Sequence, residues 1–488
     1  MSTTPPPALA QRGSPLIEQG GQSVDQMIAD FMQEHGVAGM ALAIVQAPYV
    51  TQVRGYGLSD PERKLLVASN TLFGLGTMQD AYTAVAVMQL VEEGKLSLDD
   101  PLSRHLDFLP PAWGEVTVGH LLQHQSGLPP LEGPAEGPPS RWLQPVAARS
   151  LAFPPGRRAA RSTTDYALLR VLVERASGMS YASFVRRRQF EPLGLRHTCF
   201  ASELESLPWE RLGPGERHRG FLGDARLINP SEPATGSPGP SDPEALYSSA
   251  EDVSIWDVAL AGGLLIRSPE LRRVLYTPAT LKDGRALATS GPWEFPGRPG
   301  LMVATGSGGG FSCLLSRFTD PSDLVCVTLL ANKEGLDLTQ LARRIAGAFD
   351  PRLGPPPGTA GMRVQQSPYP VGETLDRLEK SLKEAGIQVM ARLDHAAAAT
   401  AAGLSLPPTG ELIFGNPAAG TLLMQSSPAV AVDLPLRALA WQEEGAVWLA
   451  ATDPVEICRR HGLQERQGLA LKMRQGVDRA LLEAVSAY

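Results

Sequence analysis

The chain has 488 residues, 43% of them hydrophobic and 19% charged, with a formal net charge of -7. That length exceeds one ordinary hydrophobic core, so two or three domains are expected. The acidic balance gives no electrostatic footing for nucleic acid or an anionic membrane, and no stretch reaches the ~18 apolar residues of a membrane span.

Met1 to about Gln22 is rich in Pro, Gly, Ser and Gln, and residues 1–23 are expected to be disordered. The segment has neither a basic start nor the apolar run of about 7–15 residues that a signal peptide needs, so a cytoplasmic location is expected. Val24, Ile28 and Phe31 then recur at helical spacing. Gly39 to Val45 is a continuous apolar run of strand length, and Thr51 to Gly57 reads as a second strand. After Thr77 comes a helix with Ala81, Ala84, Val85, Met88 and Val91 on one face and Val87 and Leu90 on another. Such a helix is buried nearly all round, and Gly94 closes it.

Residues 128–158 and about 213–243 carry many Pro and Gly residues with little periodicity and read as long surface loops. Leu324 to Leu330 reads as a strand and Leu336 to Phe349 as a closing helix. Residues 24–350 are therefore expected to form one domain, 351–366 a Pro/Gly linker, and 367–488 a small α+β domain. In that last domain a helix carries Leu375, Leu378 and Leu382, Gly386 ends it, and Leu434 to Trp441 pairs with Ala446 to Ala451.

Cys199, Cys313, Cys326 and Cys458 stand far apart without a C-x-x-C and read as buried reduced thiols. His120 and His124 are four apart, but no third ligand stands nearby, so packing is the expected role and neither metal nor cofactor is expected. Asp394-His395 is a conspicuous polar pair for which both a capping or turn role and a functional one are open. Thr77-Met78-Gln79-Asp80 ahead of an apolar helix has the form of a capping box, with Asp80 placed to suit the helix dipole. Gly306-Ser307-Gly308-Gly309-Gly310 lacks the Lys of a phosphate loop and reads as the glycine-rich edge of a cleft.

Residues 24–350 resemble the serine β-lactamase and penicillin-binding protein superfamily, nearest its class C and esterase-like branch. The resemblance runs through Arg54-Gly55-Tyr56-Gly57, Leu121-Leu122-Gln123-His124-Gln125-Ser126-Gly127-Leu128, Pro192-Leu193-Gly194-Leu195, and Tyr247-Ser248-Ser249-Ala250-Glu251-Asp252 with Trp256. It implies an antiparallel sheet with helices on both faces and a helical subdomain, an α/β and α+β class. A second resemblance, over 371–462, is to the bacterial domain of unknown function 302. It rests on Glu373-Thr374, Arg377-Leu378, Asp394-His395, Leu412 to Pro417, Pro428, and Asp433-Leu434-Pro435-Leu436. It implies a fold and no reaction.

In the first family a nucleophilic Ser stands where this chain has Thr77, and a Lys where it has Asp80. The family's Y-x-N reads Arg161-Ser162-Thr163 here, and its K-T-G or H-x-G reads Ala304-Thr305-Gly306. None of the seven lysines follows a Ser by three positions, and none of the eight histidines begins an H-T-G, so the motifs are not relocated. A serine hydroxyl is a weak nucleophile without a base, and in a different serine hydrolase loss of nucleophile or base costs about 10⁶ in rate. The expectation is a degenerate hydrolase that binds a small molecule or a protein partner through the inherited cleft. The alternative is a hydrolase or acyltransferase using Thr77 or an unrecognised nucleophile. Arg161 is expected to pair with Asp80.

Overall fold

The computed structural model describes residues 17–19, 22–46, 49–61, 63–133, 135, 137–206, 215–219, 224–228, 242–295, 300–318, 325–350, 353–356, 358–359, 361–443 and 445–486. They fall into two compact units, Met1–Glu294 with Met302–Gly354, and Phe295–Leu301 with Pro355–Tyr488.

The first unit is built on an eight-stranded sheet. Its order is Thr289–Ser290, Trp293–Glu294, Leu301–Gly308, Phe311–Phe318, Val325–Ala331, Gly39–Gln46, Tyr49–Asp60 and Leu65–Leu66. The central strands Gly39–Gln46 and Val325–Ala331 are antiparallel, with Ala43 opposite Thr328. Both are buried almost throughout, which is why their text is continuously apolar rather than alternating. Helix Ala250–Ala261 packs on them, and Ser254 Oγ lies 2.8 Å from Thr328 Oγ1. Helices Val24–His35 and Thr339–Phe349 pack on each other, and the second of them on the sheet. Ser23 caps the first, accepting from the Gln26 N–H, and Gly36 at φ 58 ends it in a conformation glycine favours.

Helix Asp80–Glu92 is buried at every position from Ala81 to Leu90. Its one long polar side chain there, Gln89, donates to the Leu265 carbonyl at 3.0 Å, so an all-round buried helix leaves that amide nitrogen satisfied. Gly94 turns the chain out at φ 69.

Four expectations need correction. The stretch 128–158 is mostly exposed, as expected of a surface segment, but it contains two single-turn helices, Pro139–Trp142 and Gln144–Ala147, and is pinned down by buried Leu143, Val146 and Phe153 rather than being a loop throughout. Within 213–243, Gly215–Arg219 and Asp224–Ile228 pair as an antiparallel hairpin; the rest of that stretch up to residue 241 lies outside the described residues. The closing helix begins at Thr339 rather than 336. Expected disorder to residue 23 fails at its end, where Glu18–Gln19 pairs with Gln22–Ser23 and Gln19 fills the space beside Gly347 and Gly354. Residues 1–16 are outside the described residues.

The second unit carries a five-stranded sheet in the order Met362–Ser367, Ala446–Thr452, Leu436–Glu443, Thr409–Gly415 and Gln388–Asp394. Its first strand begins inside the expected linker of 351–366, because Met362 to Ser367 finds an antiparallel partner in Thr452 to Val447. Leu412 and Phe414 point to one face, and Leu436, Ala438 and Ala440 alternate toward it. Helices Val371–Glu384 and Gln467–Val485 cover that face with Leu375, Leu378, Leu382, Val477 and Leu481. Asp394 caps helix His395–Ala401 by accepting from the Ala397 N–H at 2.8 Å, and His395 Nε2 lies 3.3 Å from Glu411.

Candidate functional site

The site begins at two glycines. Gly76 takes φ 51, and a Cβ there would lie 2.7 Å from the backbone of Ser307. A Cβ on Gly306 would lie 2.1 Å from the Leu75 carbonyl oxygen and 2.9 Å from the Met78 nitrogen. The chain entering helix Asp80–Glu92 is thus pressed backbone to backbone on strand Leu301–Gly308, a spacing only glycine permits.

Thr77 sits within a 3₁₀ turn, Gly76–Gln79, and the α-helix starts after it. Its hydroxyl donates across to the Thr305 carbonyl at 3.5 Å. The capping-box expectation for Thr77 and Asp80 is therefore overturned. The residue before the helix is Gln79, which makes no side-chain cap, and its Oε1 instead accepts from the Leu246 N–H at 3.0 Å. The extra turn carries the Thr77 side chain away from the helix amides it would have to reach.

Arg161 reaches Asp80 with one nitrogen, 3.5 Å from Oδ2. The Asp80 side chain is 13% exposed and that of Arg161 45%. Burial raises the proton affinity of Asp80, and Arg161, His124 and Arg170 oppose that rise. Ser162 precedes helix Thr163–Ser177 without capping it, and its hydroxyl is buried with no partner among the described residues. Thr163 accepts from the Leu131 N–H at 2.9 Å and Thr164 donates to the Pro129 carbonyl at 2.5 Å, which ties the start of the 128–158 stretch to this helix.

On the strand opposite, Ala304 is buried and offers no polar group, whereas Thr305 and Ser307 are more open. Ser307 Oγ accepts from the Gly335 N–H at 3.3 Å, and the Gly310 N–H donates to Glu334 at 2.9 Å. Gly308, Gly309 and Gly310 have φ 146, 65 and 89 and form the hairpin turn into Phe311–Phe318.

Sequence reasoning missed two acids. Glu294, on the strand beside Val303 and Ala304, has its proton affinity raised by burial, with Arg161 and a Thr305 hydrogen bond opposing. The other is Asp165. Its Oδ2 lies 2.9 Å from His124 Nδ1 and its Oδ1 accepts from Ser126 Oγ at 2.5 Å. His124 takes φ 54, a left-handed conformation that costs a non-glycine residue about 1–3 kcal/mol, and its ring bond to Asp165 helps hold it there. His120 has a separate structural task, accepting from the Thr117 N–H while Thr117 caps its helix. Each histidine is thus engaged in its own set of hydrogen bonds.

The fold is thus a mixed α/β scaffold that gathers a threonine hydroxyl, an aspartate and a guanidinium, with a second acid in the field of that guanidinium. Residues 24–349 match the Beta-lactamase family, and the chain belongs to it. Residues 363–484 match the Domain of unknown function DUF302. A putative penicillin-binding protein, PbpX of Bacillus subtilis (strain 168), is 27% identical over 260 residues, 52% of this chain and 63% of that protein. Fluoride-specific ion channel FluC 1 of Brucella suis biovar 1 (strain 1330) is 44% identical over 114 residues, 23% of this chain and 45% of the channel. The chain thus spans less than two thirds of the length of either relative. Among solved structures, the octameric penicillin-binding protein homologue from Pyrococcus abyssi aligns with a TM-score of 0.58 at 21% identity, covering 88% of this chain and 99% of that one. FmtA from Staphylococcus aureus aligns with a TM-score of 0.56 at 20% identity, covering 70% and 93%. Those two likenesses concern fold. No described helix is long and apolar enough to cross a membrane.

Proposed function

We propose that this chain is a catalytically inactive member of its family that binds a polar small molecule or a partner through the inherited cleft. The observation that carries the reading is the Arg161–Asp80 pair. It occupies the positions where the resemblance places the family's proton-shuttling Tyr and its Lys. A Lys draws a proton from the nucleophile and leaves a cation beside the developing oxyanion; an aspartate there adds negative charge where it is least wanted. The Thr77 hydroxyl meanwhile points its proton at a backbone carbonyl. Four buried cysteines, none joined in a disulfide, support the cytoplasm as its compartment.

A second reading is favoured by one observation, the raised proton affinity of Asp80. A carboxylate of that kind is a better proton acceptor, and Thr77 with Asp80 would then retain acyl transfer. Intact-mass analysis after incubation with penicillin or a fluorophosphonate separates the two. The binding reading expects no adduct; a gain of one probe mass that disappears in Thr77→Ala sinks it. A thermal-shift screen of polar metabolites on the full chain then seeks the ligand, and stabilisation lost in Arg161→Ala locates it in the cleft.

A further inference from the structure

We propose that Asp242 and Glu244 form a proton-operated latch on Arg170 that sets how firmly the turn carrying Thr77 is held. One guanidinium nitrogen, Arg170 Nη1, lies 2.9 Å from Asp242 Oδ2 and 3.7 Å from Glu244 Oε2. Asp242 Oδ1 accepts from the Glu244 N–H at 2.9 Å, so the two acids are tied together beside a single cation. The Arg170 side chain is 15% exposed, and charges so placed are screened less than at an open surface.

The neighbouring elements add charge of the wrong sign. Glu174 stands one turn beyond Arg170 on helix Thr163–Ser177, and its carboxylate discourages ionisation of Glu244. Tyr181, on helix Tyr181–Val185, has its ring 5.3 Å from the Arg170 guanidinium, and burial keeps its phenol neutral. Three carboxyls and one guanidinium thus meet here among the described residues. Acids that share a site cannot all ionise at ordinary cost. Glu244 has the longer contact with Arg170 and is the one that keeps its proton. Burial, with Arg170 opposing and Asp242 and Glu174 assisting, pushes its carboxyl up to about 7.

The latched segment leads straight to Thr77. Two residues after Glu244, Leu246 spans the turn Gly76–Gln79: its carbonyl accepts from the Leu75 N–H at 2.9 Å, and its N–H donates to Gln79 Oε1 at 3.0 Å. Thr77 lies between those two anchors. Arg170 also acts on Asp80, favouring its charged form. With Glu244 protonated, Arg170 serves Asp242 alone; ionisation sets a second anion against Asp242 and Glu174, and the segment loosens. The folded state holds this proton more tightly than the unfolded chain, whose carboxyl titrates near its ordinary 4.5. The latch is therefore fully closed below about 4.5 and slackens as pH rises through about 7. It is independent of what the site binds.

The test is hydrogen exchange of the full chain across that pH window, read by mass on peptides spanning 73–79 and 244–248 and corrected for the intrinsic pH dependence of exchange. Asp80→Asn serves as background, because it removes the other raised carboxyl near the turn. There both peptides should open about tenfold more at the alkaline end, less than the whole gap allows because Glu244 is 30% exposed. Adding Glu244→Gln, which keeps the shape and stays neutral, should abolish the rise in both. Glu174→Gln, which can still accept from the Tyr181 N–H as Glu174 does at 3.0 Å, should move the rise to lower pH. That variant decides the matter if Glu244→Gln fails to fold. The inference is overturned by exchange with no such rise, by a rise that survives Glu244→Gln, or by one whose midpoint ignores Glu174→Gln. A rise confined to 244–248 overturns it too, since the turn would then be held independently.

Discussion

Two aspartates of the first unit share one perturbation and have opposite settings. Asp165 and Asp80 both have proton affinities raised by burial. Asp165 holds two short hydrogen bonds, at 2.5 Å to Ser126 and 2.9 Å to His124, and is fully enclosed. Among the described residues Asp80 has one side-chain partner, Arg161, at 3.5 Å, and that guanidinium is 45% exposed. A buried carboxylate with its lone pairs committed rigidifies what surrounds it. A rim pair with one long contact leaves most of its donors to water or a ligand. The first belongs to a rigid wall, and the second leaves polar groups open to solvent.

The largest effect should come from the wall. Asp165→Ala strands His124 and Ser126 in a buried place and is expected to cost about 3–5 kcal/mol, measured by denaturant unfolding. A loss no greater than that of Asp80→Ala would erase the distinction. Next comes the glycine contact that brings the two walls together. Gly306→Ala forces a Cβ onto the Leu75 carbonyl and should cost about 1–3 kcal/mol, the usual penalty of overpacking. Unchanged thermal unfolding would mean that the strand and the helix entry are less tightly joined than described.

A pH series separates the rim from the wall. Burial holds the folded Asp80 carboxyl above its ordinary 3.8, so the folded state binds more protons than the unfolded chain. Its contribution is therefore complete below that ordinary value and is lost as pH rises through the folded one. Asp80→Asn should flatten this part of the stability–pH curve and raise stability on its alkaline side. A curve that keeps its slope in the variant would show that the carboxyl titrates as it does in water. The smallest expected effect is the coupling of the rim pair itself. Asp80→Arg with Arg161→Asp in a double-mutant cycle should show a coupling of about 0.2–1 kcal/mol, as for partly exposed pairs. Zero coupling would mean the two residues are not partners.

Much of the frame was legible because burial writes itself into periodicity. The all-round apolar pattern after Thr77 became helix Asp80–Glu92, and the unbroken runs at 39–45 and 324–330 became the two buried central strands. Alternation at 434–441 and 446–451 became a paired ladder with Trp441 opposite Trp448. The hairpin at Gly215–Arg219 and Asp224–Ile228 was not legible, because its flanks are dominated by Pro and Gly and its strands are only five residues long. Nor was the packing of 128–158, where Leu143, Val146 and Phe153 lack any regular spacing and are buried by what surrounds them.

The site divides along the same line. Residue identity alone determined which residues stand where the resemblance expects Ser, Lys, Tyr and a cation, namely Thr77, Asp80, Arg161 and Ala304, and that Asp80 and Arg161 carry opposite charges, since these are properties of single positions. Only the tertiary structure decided that Thr77 bonds across to Thr305 instead of capping its helix, because one inserted 3₁₀ turn sets the direction of that side chain. Only it joined His124 and Ser126 to Asp165, some forty residues away in the chain, and set Glu294 within the field of Arg161. Periodicity reports which face of an element is buried. The partner of a polar side chain is chosen by whichever distant backbone the fold brings within about 3 Å, and that distance has no local signature in the chain.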